Sequence, residues 1–184
     1  MNISDMKNEL ATQSKNGISF LSSAVIVWII FTFIFFLPLD IKWKNILMLW
    51  CSGIMFPMAV TLSKFFKVDW RSKGLPLSDL GLVLNLAQLM YFPILLLVFV
   101  NYPSDMVAVF AIITAAHLFP YGWLYQAMPY YIYAPVVSVM VMILGFARSS
   151  HPWVIPLVMA ISLVLLNLAL FADYKKKSSL SRSA

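Results

Sequence analysis

Charge is what this chain lacks. Of its 184 residues only 11% are charged, against 62% hydrophobic, too little charge to clothe a soluble domain. No Asp, Glu, Lys or Arg lies in the central part of any of its long apolar runs. Proton-coupled pumps commonly use an intramembrane carboxylate, and ion-pair relays need two charges, so the sequence argues against a carboxylate-driven antiporter. An intramembrane aspartyl pair is excluded, and two histidines in all do not make a His-Glu-x-x-His zinc site. Cys51 is the only cysteine and sits inside an apolar run. It forms no intramolecular disulfide and no soft metal site, and reads as a small packing residue. Ser22, Ser23, Ser52 and Ser138 could each face a histidine, but none stands in a Gly-x-Ser-x-Gly setting. The expectation is no catalytic set, no metal and no cofactor.

What the chain does have is apolar length. Six runs near 18–39, 44–63, 79–100, 104–124, 129–147 and 152–172 each approach the ~20 residues a helix needs to cross ~30 Å of hydrocarbon. Helices are expected throughout, because an unpaired backbone amide in lipid costs several kcal/mol and no barrel-like alternation is present. The expected fold class is therefore all-α: a polytopic protein of six transmembrane helices preceded by a short interfacial helix. The chain divides into an interfacial helix at 1–17, a transmembrane domain at 18–173 and a polybasic tail at 174–184. The first run is too long for a signal-peptide core and ends in FFLPLDIKW without a small-x-small site, so it is expected to remain as a span.

Basic residues flank the spans unevenly. The side shared by both termini holds Lys7, Lys15, Lys64, Lys67, Arg71, Lys73, Lys175, Lys176, Lys177 and Arg182, while the other holds Lys42, Lys44 and Arg148. Ten against three puts both termini in the cytoplasm by the positive-inside rule. Trp43 and Trp153 then mark the outer interface, and Trp70 and Trp123 the inner one. The net charge of +6 is spent on orientation and on anionic headgroups, and no base-reading fold remains for a nucleic acid.

Three segments lie outside the spans. Residues 3–15 place Ile3, Met6 and Leu10 on one helical face behind a Ser4 cap, with Gly17 ending the pattern. Residues 63–79 mix Phe65, Phe66 and Trp70 with basic residues and suit the headgroup layer. The tail KKKSSLSRSA is expected to be disordered and drawn to anionic lipid. Ser78-Asp79 and Ser104-Asp105 read as helix starts, and Pro129 and Pro152 suit first turns. Phe56-Pro57, Phe92-Pro93 and Phe119-Pro120 predict kinks in spans two, three and four.

Neutral polar residues gather in one layer. Asn85 and Gln88 share a face of span three, and Thr114, His117, Tyr121 and Tyr125 form one stripe on span four. Ala108, Ala111 and Ala115 mark a separate small-residue face for close helix approach. Counted from the inner end, Asn85 lies about 9 Å deep, Gln88 about 13 Å, His117 about 10 Å and Asn167 about 8 Å, with Ser22 and Ser23 slightly shallower. Two readings stay open. The band is interhelical hydrogen bonding, with the carbonyl of Ala116 (freed by Pro120) taking a donor such as the His117 ring or a tyrosine hydroxyl. Or it is an inner-facing ligand pocket lined by Asn85, Gln88, Thr114, His117, Tyr121 and Tyr125.

The passage Ala115-Ala116-His117-Leu118-Phe119-Pro120-Tyr121, with Trp123 and Tyr125 after it, resembles a group of small bacterial multi-pass membrane proteins without an assigned function. The short helix before the first span adds to the likeness, which covers most of the chain. The resemblance implies a bacterial inner-membrane setting and no particular activity. Size and six spans are also similar to the substrate-binding components of vitamin importers, but the first span lacks their paired-alanine docking motif. The functional expectation is a plasma-membrane protein that binds or moves a small neutral or amphipathic molecule. The alternative is an accessory or scaffold subunit that meets a membrane-protein partner or a second copy of itself.

Overall fold

The computed structural model describes residues 2–69, 76–147 and 151–183, and of residues 76 and 180–183 the backbone alone. Trp70, Arg71, Lys73 and Arg148, used above as interface and orientation markers, lie outside the described residues, as does the side chain of Arg182. Among the described residues the fold is entirely helical. The helices are α1 (Ile3–Gln13), α2 (Ile18–Phe36), α3 (Ile41–Ser52), α4 (Met55–Phe65), α5 (Pro76–Ala87), α6 (Phe92–Asn101), α7 (Met106–Ala116), α8 (Phe119–Leu124), α9 (Met128–Phe146) and α10 (Val154–Ser183). Single 3-10 turns occupy Lys15–Gly17, Gln88–Tyr91 and Pro103–Asp105.

Five stretches are long and apolar enough to cross a membrane: Lys15–Phe36, Leu77–Asn101, Pro103–Leu124, Met128–Phe146 and Val154–Ser179. A sixth appears if α3 and α4, bent by 43° at their junction, count as one span. The bend follows from the sequence. Pro57 has no N–H to continue the α3 ladder, and the chain restarts as α4 just before it. The Ser23 hydroxyl of α2 donates to the Met55 carbonyl at this junction, at 2.7 Å. The other two Phe-Pro pairs behave alike. Each proline falls in the first turn of a new helix, α6 or α8, after a break in the previous one, so the expected interruptions of spans two, three and four are present.

Helix α2 is the spine. It packs along α10, α4 and α3, while α7, α8 and α9 form a second group joined through α10. Trp28 and Phe31 of α2 meet Phe110 of α7, their ring centroids 5.8 and 5.9 Å from its own. The small face of α7 works as expected: Ala108, Ala111 and Ala115 are buried, and a Cβ placed on Gly145 of α9 would stand 3.2 Å from the Ala108 methyl. The α5–α6 stretch lies at the edge, with only Leu95 of α6 fully buried.

Several element ends differ from expectation. The α1 cap is Asn2, whose N–H donates to the Asp5 carboxylate at 3.1 Å, and not Ser4. Its buried face is Lys7, Leu10 and Ala11, leaving Ile3 exposed. The reason is tertiary: the Lys7 ammonium stands 3.2 Å from the centre of the Trp123 ring, which holds the charged residue inward. α5 starts at Pro76, ahead of Ser78. Asp105 precedes α7 without a side-chain cap bond, and Pro152 falls just outside α10. The tail expected to be disordered is helical to Ser183. An Asp173–Lys177 ion pair at 2.6 Å stiffens it one turn apart, and Lys177 also donates to the carbonyls of Tyr125 and Gln126.

Candidate functional site

The polar band is assembled where two helix breaks lie side by side. The 3-10 turn that begins at Gln88 packs against α7, and α5 packs against α8. Asn85 Nδ2 donates to the Gly81 carbonyl of its own helix at 3.0 Å. The Tyr121 hydroxyl of α8 points to the same carbonyl at 3.5 Å, a weak bond by length. Gly81 thus joins the two spans.

His117 occupies the gap between α7 and α8. Its Nδ1 lies 2.7 Å from the Thr114 carbonyl. A carbonyl only accepts, so Nδ1 carries the proton and Nε2 keeps its lone pair. The ring stands edge-on to Tyr121, centroids 6.0 Å apart. This corrects the sequence expectation in one respect: the imidazole satisfies Thr114, not the Ala116 carbonyl freed by Pro120. Three polar groups of the set remain without a described partner. They are the Gln88 amide, Nε2 of His117 and the Thr114 hydroxyl, the last fully enclosed.

Tyr121 and Tyr125 belong also to a second constellation, built on residues absent from the sequence-based set. Tyr121, Tyr125 and Tyr130 form a triangle of rings with centroids 5.9 to 6.0 Å apart. The Tyr130 hydroxyl donates to the Asn16 carbonyl at 2.7 Å. Asn16 is itself fully buried, and its Nδ2 donates to the Leu170 carbonyl at 3.2 Å and to Asp173 at 2.9 Å. The backbone here is left-handed over three residues, with φ of 48° at Lys15, 56° at Asn16 and 79° at Gly17. Asparagine and glycine tolerate that region best. Gly17 is required on space as well, since a Cβ would meet Tyr125 and Tyr130 at 3.1 to 3.2 Å. Lys15, at the start of the turn, donates to the Phe66 carbonyl at 2.8 Å. Burial pushes the Tyr125 phenol up to about 12, with its hydrogen bond to Ser14 pulling the other way. It therefore works as a neutral hydrogen-bonding group near pH 7.

Helix α1 lies over this end of the bundle. Lys7 covers Trp123, Gln126 Nε2 donates to the Ser4 hydroxyl at 3.3 Å, and α1 touches both α5 and α10. The Asn16-Gly17 pair was a readable turn signal, but nothing local in the sequence announces its partner Asp173. Other polar groups tie helices together. Ser22 reaches Asn167 at 3.5 Å, Tyr133 meets Ser162 at 3.3 Å, and Asn45 Nδ2 donates to the Pro103 carbonyl at 2.7 Å. Asn45, fully buried in α3, is a second residue the sequence reading passes over.

None of the curated proteins and none of the solved structures matches the chain. A family model does, over residues 3–173, which takes in α1, every apolar stretch and both constellations of polar side chains. The chain belongs to that family, described as a family of unknown function, DUF7010.

Proposed function

We infer that the protein is a six-span bacterial plasma-membrane protein that binds or moves a small neutral or amphipathic molecule. The site is a pocket lined by Asn85, Gln88, Thr114, His117, Tyr121 and Tyr125, open toward the side that carries both termini. One observation carries this reading. The Gln88 amide, Nε2 of His117 and the Thr114 hydroxyl, on neighbouring elements, have no described partner. Of the three, the Thr114 hydroxyl is enclosed; leaving such a group unpaired costs about 1–3 kcal/mol, and a ligand with a matching donor or acceptor would recover it. None of the six lining residues carries a full charge, which suits a neutral ligand. Broken helices within membrane spans are favoured where they line a cavity, and both breaks meet here.

The orientation rests on ten basic residues on the terminal side against three on the other, and would put α1 at the inner surface, among anionic headgroups. The test is the pair Gln88→Leu and His117→Leu in the full chain, purified in its own lipids. Small molecules extracted with the wild-type protein should raise its melting temperature and leave the folded double variant unmoved. Equal shifts in both proteins would remove the pocket, and loss of folding alone would assign the band to helix packing.

A second reading is an accessory subunit. The α5–α6 stretch supports it, since Leu86, Leu89, Met90 and Leu97 are all at least half exposed on a span that the rest of the chain barely covers. Crosslinking from Met90 to another membrane protein would favour it.

A further inference from the structure

The opposite end of the bundle holds a cavity of about 570 Å³ that the inner pocket does not involve. It opens between the α6–α7 turn, the end of α9 and the start of α10. Along α10 the rise from Ile155, in its wall, to Asp173, in the Asn16 cluster, is about 27 Å. That is nearly the thickness of the hydrocarbon layer, so the cavity sits at the other membrane boundary. Its volume falls within the ~300–1,000 Å³ of small-molecule sites.

The lining is two-sided. Asn101, Tyr102, Ser104, Asp105 and His151 make its polar part. Val107 and Ile155, both almost fully buried, continue it into the apolar interior beside Leu144. Asp105 is the carboxylate among its described lining residues, which include no Lys or Arg. That carboxylate is half-buried, makes no cap bond to α7 and has no described side-chain partner. The nearby Lys44 is engaged elsewhere, donating to the Phe35 carbonyl at 3.0 Å. The turn that carries Asp105 is held in place from behind by Asn45, through its 2.7 Å bond to Pro103. Asn45 is fully buried and its own Oδ1 is unpaired, so this anchor lies within the protein and not in solvent.

We propose that this cavity binds an amphiphile bearing a protonated amine, its ammonium on Asp105 and its alkyl chain along Val107, Leu144 and Ile155. A carboxylate at the rim of an apolar cleft favours a cation and opposes a fatty acid. Charge-assisted hydrogen bonds to an ammonium supply the specificity, and the apolar wall takes the chain. The same chemistry is offered by an amine-headgroup lipid and by a free long-chain amine from solution.

The probe is dodecylamine, protonated at pH 8 as any alkylamine near the lysine range is. Dodecanol and dodecanoate are the controls. Binding is measured calorimetrically to the full chain in phosphatidylcholine nanodiscs. Dodecylammonium should bind at least ~10-fold more tightly than dodecanoate, and Asp105→Asn should lose about that factor while dodecanol binding stays within ~2-fold. Ile155→Trp, which keeps the charge and fills the wall, should weaken dodecylammonium and dodecanol together. It decides the matter should Asp105→Asn not fold. Adding phosphatidylethanolamine to the nanodiscs separates the sources: competition with dodecylammonium assigns the site to the lipid, and no competition assigns it to a free amine. The proposal is overturned if dodecanoate binds as well as dodecylammonium, or if neither variant changes dodecylammonium binding. It is also overturned if Arg148→Gln alone tightens dodecylammonium binding ~10-fold, which would make Arg148 the partner of Asp105.

Discussion

Replacing Asn16 should unfasten the terminal end of the bundle, and the size of the effect can be worked from its contacts. Its side chain makes two interhelical bonds, to Leu170 and Asp173. Bonds of this kind inside membrane proteins contribute ~0.6 to 1.7 kcal/mol each. Its φ of 56° adds roughly 1 kcal/mol for any side chain that lacks the local bonding of asparagine. Asn16→Ala should therefore cost about 3 kcal/mol. Asn16→Gly, which keeps the left-handed backbone and loses only the bonds, should cost about 2. Asn16→Asp preserves shape but turns the donor that sits 2.9 Å from Asp173 into a second carboxylate, so it should be worse than alanine. The double variant Asn16→Asp, Asp173→Asn reverses donor and acceptor and should recover about half of that loss, less the Asp173–Lys177 ion pair. Reversible unfolding in mixed detergent micelles, followed by tryptophan fluorescence, gives these four values and that of the Asp173→Asn single variant. Two outcomes would refute the reasoning: Asn16→Asp within ~0.5 kcal/mol of wild type, or a double variant no better than the sum of its singles.

Two further substitutions probe the same end. Gly17→Ala meets both a φ of 79° and tyrosine atoms at 3.1 to 3.2 Å, and should lose at least ~1–2 kcal/mol with a lowered melting temperature. An unchanged melting temperature would show that the two tyrosines shift at no cost. Lys7→Met keeps the packing of the aliphatic stem and deletes the cation over Trp123. It should cost ~1 kcal/mol and expose α1 to limited proteolysis, whereas an unaltered cleavage pattern would leave α1 held by Leu10, Ala11 and the Ser4–Gln126 bond.

How far the structure was legible in the sequence depends on the range of the forces involved. The apolar stretches were readable because lipid imposes length and composition on each span separately. The three Phe-Pro interruptions were readable because proline acts on its own helix. Depth counting set Asn85 and Gln88 level with His117, and the turn that begins at Gln88 does pack against α7, which ends at Ala116, since two helices of known rise joined by a short turn have little freedom in register. Lys7 was misplaced because its burial depends on Trp123, more than a hundred residues away. The helical tail was missed for the same reason. Its local sequence is polar and carries three consecutive lysines, and it is the bonds from Lys177 to Tyr125 and Gln126 that hold it. Asn16 and Asn45 looked like ordinary polar residues at or within apolar runs, and their roles exist only through Asp173 and Pro103.

The distribution of these ties says which part of the bundle can move. Helix α2 is joined to α10 by Ser22 with Asn167, and to the α3–α4 junction by Ser23. α9 is joined to α10 by Tyr133 with Ser162, and to the terminal turn by Tyr130. By contrast, α5 meets α8 through the 3.5 Å approach of the Tyr121 hydroxyl to the Gly81 carbonyl. The Asn85 and Asn101 amides are turned back on their own helix. That stretch also carries the 3-10 turn at Gln88, where i to i+3 bonding is poorer than in an α-helix. Opening the bundle between α5–α6 and α7–α8 thus breaks the weak Tyr121–Gly81 bond. Such an opening passes through the layer of Gln88, Thr114 and His117. Thr114 is the enclosed unpaired side chain on this seam, while Asn16, Asn45 and Ser138, on the Lys15–Gly17 turn, α3 and α9, hold the other unpaired atoms among the described residues.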